Sequence, residues 1–200
     1  MASARDVRVL NAIARRLNRA HGGGRAPSLF FLTDPSRTPA PEAAIARLPP
    51  GAGVIYRHFG APDRAAVARR LAALCRRRRL KLLIAADPAL ARRIGADGAH
   101  LPERMARHAF ALKRARPAWI VTAAWHGRRP PPRGADALLL SPVFPSASPS
   151  AGPVLGPRAG AAIAQRAGGR VYALGGMSAQ TASRLRGFAG LAAIDGLLLD

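Results

Sequence analysis

The stretch Pro88-Ala89-Leu90-Ala91-Arg92-Arg93-Ile94-Gly95-Ala96-Asp97-Gly98-Ala99-His100-Leu101 carries the reading that decides the fold. It reads as a helix over Pro88–Ile94, a Gly-Ala-Asp-Gly turn, and a short apolar strand over Gly98–Leu101. The same alternation extends in both directions. Strands are expected at Leu29–Thr33, Val54–Tyr56, Lys81–Ala85, Trp119–Ala124, Ala137–Ser141, Val171–Leu174 and Ala193–Leu199. Helical patterns lie between them at Pro41–Leu48, Pro62–Arg78, Glu103–Arg116, Arg158–Ala167 and Ser178–Arg186. Continuous apolar strands separated by helices imply parallel strands covered on both faces.

Eight such strands in about 170 residues fit a single closed α/β barrel, a (β/α)₈ TIM barrel, better than an open sheet. A flavodoxin-like doubly wound sheet is the alternative, because spacing alone does not prove closure. Residues Arg5–Ala20 form an extra N-terminal helix with Val9, Leu10, Ile13 and Leu17 at helical spacing, ending at His21-Gly22-Gly23-Gly24. The expected organisation is therefore a helix and Gly-rich linker over 1–24, then the barrel over 25–200. Two connections depart from the regular pattern. The segment His126–Gly134 is too rich in proline for a helix. The chain also stops at Asp200, a truncated C-terminus with no helix after the eighth strand, and the N-terminal helix is placed to cover that gap.

The chain has 32 Lys and Arg against 10 Asp and Glu, a formal net charge of +22. Arginine supplies nearly all of the excess, Lys81 and Lys113 being the lysines. The basic residues are spread along the sequence. The densest run, Arg76–Arg79, closes a helix whose C-terminal dipole favours cations. Non-specific polyanion binding is the expectation, since no zinc finger, homeodomain or RNA-binding signature accompanies the charge. No apolar run reaches the roughly 20 residues of a membrane-spanning helix, so no membrane partner is expected. The N-terminus lacks the order of a secretory signal. One cysteine, Cys75, forms no internal disulfide, and a cytoplasmic chain with a buried, inert thiol follows.

In a barrel, chemistry belongs at the C-terminal ends of the strands. Gly175 and Gly176 follow the seventh strand, and Ser178 starts a helix; backbone N–H groups in such a turn suit phosphate. Asp195, placed after the eighth strand, opposes an anion. Arg57 ends the second strand as an anion-binding candidate, with a solvated arginine as the plainer reading. His126 ends the fifth strand, where an imidazole relays protons or is simply capped by backbone groups. Asp34 fits a site carboxylate or an Asx turn before proline, and His100 reads as a structural histidine. Ser146 and Ser148, in the Ser/Pro-rich loop Ser141–Ser150, offer hydroxyls for phosphate. No cluster of Cys, His, Asp or Glu has metal-ligand spacing, so no metal residue is assigned. No Walker loop or dinucleotide fingerprint is present.

The motifs Leu32-Thr33-Asp34, Val54-Ile55-Tyr56-Arg57, Gly95-Ala96-Asp97-Gly98-Ala99-His100-Leu101, Gly134-Ala135-Asp136, Ser141-Pro142-Val143-Phe144-Pro145 and Ala173-Leu174-Gly175-Gly176-Met177, in this order, closely resemble thiamine phosphate synthases and the related TenI thiazole tautomerases. The resemblance covers about Leu29 to Leu199. It implies a role in thiamine biosynthesis and a phosphorylated thiazole or pyrimidine-like ligand. In the synthases, Mg²⁺ and basic groups stabilise departing pyrophosphate.

This chain departs from that pattern where the chemistry lies. The family's Gln-x-Arg-x-Lys falls on Ile55, Arg57 and Phe59, so only the arginine remains. Its Asn-Asp pair falls on Ala85 and Ala86, although a one-residue shift brings in Asp87. The second magnesium Asp falls on Met105, with Glu103 nearby. The Thr-x-Thr-Lys segment becomes Ser146-Ala147-Ser148-Pro149, the serine before the strand-five histidine becomes Ala124, and the phosphate serine after strand eight becomes Asp195. Mg²⁺ is implied only for retained synthase activity. Three readings stay open: a divergent transferase, a metal-independent tautomerase using His126, and a non-catalytic phosphate-ligand protein.

Overall fold

The short apolar runs are buried along nearly their whole length, which only strands covered on both faces allow. The computed structural model describes residues 2–146, 148 and 152–198. Its strands are β1 (Leu29–Leu32), β2 (Gly53–Tyr56), β3 (Lys81–Ala85), β4 (Gly98–Leu101), β5 (Ile120–Trp125), β6 (Ala137–Leu140), β7 (Val171–Ala173) and β8 (Gly190–Ala193). They form one closed parallel barrel in sequence order. The closing ladder pairs Leu29 with Leu191, Phe30 with Ala192 and Phe31 with Ala193, which excludes the open doubly wound sheet.

The helices are α1 (Ala4–Ala20), α2 (Pro41–Ala46), α3 (Arg64–Arg77), α4 (Pro88–Arg93), α5 (Ala109–Ala115), α6 (Pro157–Arg166) and α7 (Ala179–Ala182). The helix expected over Glu103–Arg116 divides into a 3₁₀ segment, Glu103–His108, followed by α5. No helix is formed between β5 and β6 among the described residues. No described helix is long and apolar enough to cross a membrane.

Two expectations change. The eighth strand is Gly190–Ala193, not Ala193–Leu199; Asp195–Leu197 is a 3₁₀ turn and Leu199 lies outside the described residues. The apolar run misleads because the real strand begins at a glycine. A Cβ on Gly190 would sit 2.3 Å from the Tyr172 ring, so the bulky residue of β7 requires a bare position beside it. The second change concerns α1. It buries Val7, Leu10, Ala14 and Leu17, whereas Val9 is 36% exposed and Ile13 is partly buried. The small Ala14 completes the stripe and lets the helix lie close against β8, β1, α7 and the 3₁₀ turn after β8.

Inside the barrel, Phe30, Leu32, Ile55, Leu83, Leu139 and Tyr172 form a separate apolar cluster. His100 is also buried, with Nδ1 2.9 Å from Thr122 Oγ1. Burial pushes its pKa down to about 3, with Arg57 adding to the effect, so it is neutral at physiological pH. Cys75 is buried and free, and burial pushes its thiol up to about 12.

Candidate functional site

A cavity of about 530 Å³ opens at the C-terminal ends of the strands. Arg57, His126, Ser146, Ser148, Gly175 and Gly176 all line it, although they come from four different connections. Ala2, just before α1, and Asp6 in its first turn complete the rim, so the helix preceding the barrel is part of its mouth. Ser3 caps α1 by accepting from Asp6 N–H, and Ala2 N–H donates to the Leu198 carbonyl.

A line of charges runs across one side. Arg57 donates from Nε to the Thr33 carbonyl (2.9 Å) and from Nη2 to Asp34 Oδ2 (3.0 Å). Asp34 Oδ2 also accepts from Arg37, whose Nη1 reaches Asp195 Oδ2, again at 3.0 Å. Asp34 Oδ1 meanwhile accepts from the Ser36 and Arg37 backbone N–H groups, an Asx turn. Asp34 is thus both a turn residue and the bridge between two arginines. Burial works against its ionisation, but the bonds from Arg37 and Ser36 win and hold it well below the usual carboxylate range. Burial holds the Arg57 pKa below its ordinary value despite Asp34, yet a guanidinium remains cationic. Asp195 opens a 3₁₀ turn and its charge is matched by Arg37.

His126 follows β5, and its Nδ1 lies 2.9 Å from Glu103 Oε2. Its backbone N–H donates to the other carboxylate oxygen at 3.1 Å. Glu103 follows β4 and does not itself line the cavity; it fixes the imidazole from behind. Burial opposes ionisation of Glu103, but its hydrogen bonds from His126 lower its pKa overall. With Nδ1 so engaged, Nε2 is the ring nitrogen left for a ligand.

Gly175 and Gly176 have φ of 95° and 59°. A Cβ on Gly176 would lie 2.2 Å from the Pro145 carbonyl oxygen, and one on Gly175 2.8 Å from Pro142 Cβ. Glycine is required at both because the β6 loop crosses directly over this turn. The N–H groups of Gly175, Gly176 and Met177 donate to no acceptor among the described residues. Ser178 does cap α7, accepting from Thr181 N–H, but α7 is a single turn of 4 residues. Ser146 Oγ accepts from Ser148 N–H at 3.3 Å. Ala147, Pro149 and Ser150 of that loop lie outside the described residues.

The β2–β3 side differs. Phe59 is 52% exposed, with the Arg64 guanidinium 5.6 Å from its ring. Arg64 Nη2 donates to the Ala85 carbonyl at 2.6 Å, and Nη1 lies 3.5 Å from Asp87 Oδ2. Asp87 caps α4 through Leu90 N–H. None of these residues lines the cavity. Among the described residues, no group of three or more His, Cys, Asp or Glu is arranged to hold a metal ion.

Arg37 and the orienting role of Glu103 are absent from the sequence reading. The signals were modest: Arg37 lies three residues beyond Asp34, and Glu103 two beyond the end of β4.

The sequence profile of the family described as thiamine monophosphate synthase matches residues 29–197. No curated protein matches the chain. Among solved structures, the thiamine phosphate pyrophosphorylase of Pyrococcus furiosus is 22% identical, with a TM-score of 0.67 over 83% of this chain and 84% of that one. The aldolase QR15 is 12% identical, with a TM-score of 0.56 over 85% and 90%. The citrate synthase SbnG, also 12% identical, gives 0.54 over 90% and 89%. These structural likenesses speak to the barrel alone, whereas the profile spans nearly all of it. The chain belongs to the thiamine monophosphate synthase family, shared with the TenI proteins.

Proposed function

We propose that the mouth binds a phosphorylated heterocycle-sized molecule and that His126, oriented by Glu103, moves a proton on it without a metal. The observation that carries this reading is the 2.9 Å contact between His126 and Glu103 on the wall of a cavity that also holds the Gly175-Gly176 turn. A carboxylate at Nδ1 fixes the tautomer and orientation of an imidazole and stabilises its protonated form. Backbone N–H groups and the adjacent hydroxyls of Ser146 and Ser148 suit the phosphate, with Arg57 adding positive potential.

Magnesium-assisted departure of pyrophosphate finds little support in these residues. Asp87 and Glu103, the carboxylates nearest the positions implied by the family pattern, are committed to Arg64 and α4 and to His126 respectively. Ala85 is buried and apolar, and its carbonyl is taken by Arg64. The residues do not fit a two-carboxylate magnesium site.

The test supplies a thiazole carboxylate phosphate in the presence of a chelator and follows isomerisation by proton NMR. Turnover that disappears in His126→Ala, with binding of the phosphate retained, is expected. Magnesium-dependent pyrophosphate release from a pyrimidine diphosphate and thiazole phosphate would overturn the proposal. Saturable binding without turnover would instead establish the non-catalytic reading.

A further inference from the structure

We propose that the face of the barrel opposite the mouth binds a phosphodiester polyanion through its backbone, without reading its sequence. The arginines are scattered in the sequence, but the fold gathers many of them at one end. Each helix between strands starts at the mouth and ends at the base. Charge follows that polarity. Asp63 stands at the N-terminal boundary of α3, Asp87 caps α4, Glu42 lies in the first turn of α2 and Asp6 in that of α1. Asp34, Glu103 and Asp195 follow strands at the same end. Among the described acidic residues, only Asp97 and Asp136 precede strands at the base, and each is taken, by Lys81 and Lys113 respectively, at 2.8 Å.

Cations end the helices instead. Arg19 closes α1, Arg76 and Arg77 close α3 with Arg78 and Arg79 directly after, Arg92 and Arg93 close α4, and Arg166 closes α6. All of them are exposed, and none forms an ion pair among the described residues. Helix dipoles favour one or two cations at each such end. They do not account for Arg79. The residue after the C-cap of α4 is Gly95 with φ of 65°, and that of α6 is Gly168 with φ of 63°. In α3 the position is Arg79, at φ of 54°. The cap itself is the same in α3 and α4: Leu80 N–H donates to the Cys75 carbonyl at 2.8 Å, and Ala96 N–H to Ala91 at 2.9 Å. A side chain in this left-handed region strains the backbone where glycine does not. Here the chain keeps a guanidinium at a glycine position, which dipole matching alone gives no reason to do.

Arginine's planar fork grips phosphate oxygens in pairs. The exposed large apolar side chains Val9, Phe59, Phe110 and Val154 lie on the middle of α1, the mouth loops and the start of α5. Among the described residues the base therefore presents no cluster of anchors for a membrane-inserting or hydrophobic protein interface. A broad cationic face with no element shaped for a groove suits backbone contact alone.

The test is fluorescence anisotropy of the full chain with labelled mixed-sequence DNA duplexes over a salt series. Duplexes of different sequence should bind alike and weaken steeply toward about 200 mM salt. Arg76→Glu/Arg77→Glu/Arg78→Glu should reduce the slope of log affinity against log salt by about three. Arg104→Glu/Arg128→Glu/Arg158→Glu makes the same change in net charge at exposed sites that follow strands toward the mouth. It should leave the slope nearly unchanged, because screening acts over about 8–10 Å. Arg79→Gly guards against simple misfolding: it should raise Tm by about 1–4 °C while lowering the slope by about one. Equal losses in the two triple variants, an unchanged slope in Arg79→Gly, no binding at low salt, or labelled polyglutamate binding as tightly as the duplex would each overturn the proposal.

Discussion

On the β2–β3 side of the mouth, Arg64 reaches over to the Ala85 carbonyl and to Asp87, and Phe59 lies against it. Across the cavity, Glu103 holds His126 at the edge of the open space, beside the Gly175-Gly176 turn. The first side ties Arg64 to Asp87 and to backbone, although Arg64 Nε has no hydrogen-bond partner among the described residues, and none of these groups lines the cavity. The second places His126 and backbone N–H groups that have no acceptor among the described residues on the cavity wall. Both sides stand on equivalent strand ends of one closed ladder, so their backbone positions are set by the barrel and not by their chemistry. Reactive groups can consequently be replaced on one side while the other stays assembled, so the fold by itself does not fix the chemistry.

The sharpest way to break this contrast is to remove one group from each side. His126→Ala should lower turnover by about 10²–10⁴-fold, the usual range for a general acid–base group. Asp87→Ala should leave turnover unchanged and cost the α4 cap and the ion pair with Arg64, about 1–2 kcal/mol. If steady-state kinetics show Asp87→Ala to be the damaging change, the active side has been misidentified.

Asp34 joins the ends of β1, β2 and β8 through Arg57 and Arg37, so its loss should be felt in stability. Asp34→Asn should destabilise the protein by about 2–3 kcal/mol at pH 7, since it removes charged acceptors from two arginines. Its pKa is depressed from the ordinary 3.8. Its contribution is therefore complete above that value and lost as pH falls toward and through the folded-state pKa. Denaturant titrations should show the gap between wild type and variant shrinking below about pH 4. A gap that stays constant would mean that the carboxylate charge is not what holds the arginines.

Asp195→Ser offers a gentler adjustment. It removes an exposed negative charge from the cavity rim and releases Arg37 from one partner. Inorganic phosphate should bind up to about fivefold more tightly by calorimetry, equivalent to ~1 kcal/mol for an exposed pair. Unchanged or weaker binding would place the anion away from this edge.

The smallest effect concerns the β2–β3 side itself. Ala86 has φ of 60°, a conformation that disfavours alanine. Ala86→Gly should raise stability by about 0.5–1 kcal/mol, the relief of that strain less the extra freedom of glycine in the unfolded chain. Tm should rise by about 1–4 °C with turnover unchanged. A loss of turnover would show that this side still takes part in the chemistry.

What could be read beforehand was what local pattern encodes. Lys81–Ala85 and Gly98–Leu101 match strands β3 and β4 residue for residue, because a short run of apolar side chains ended by a turn has few alternatives. The positions of Arg57, His126 and Gly175 at strand ends also followed, and so did their convergence on one mouth, given a barrel. The eighth strand did not. Gly190 has no apolar signal of its own, and its place is dictated by the Tyr172 ring of the neighbouring strand.

The sequence by itself determined the alternation of strands and helices, the family motifs and the size of the charge excess. Tertiary structure alone decided closure, through Leu29 meeting Leu191. It decided that Arg37 would pair with Asp195 and that Glu103 would orient His126. It also brought the arginines that close α1, α3, α4 and α6 to one end of the barrel. The physical reason is common to all of these: periodicity and turn chemistry act over a few neighbouring residues. Ladders, ion pairs and surface charge instead depend on distances between residues far apart in the chain, and those distances exist only once the barrel has closed.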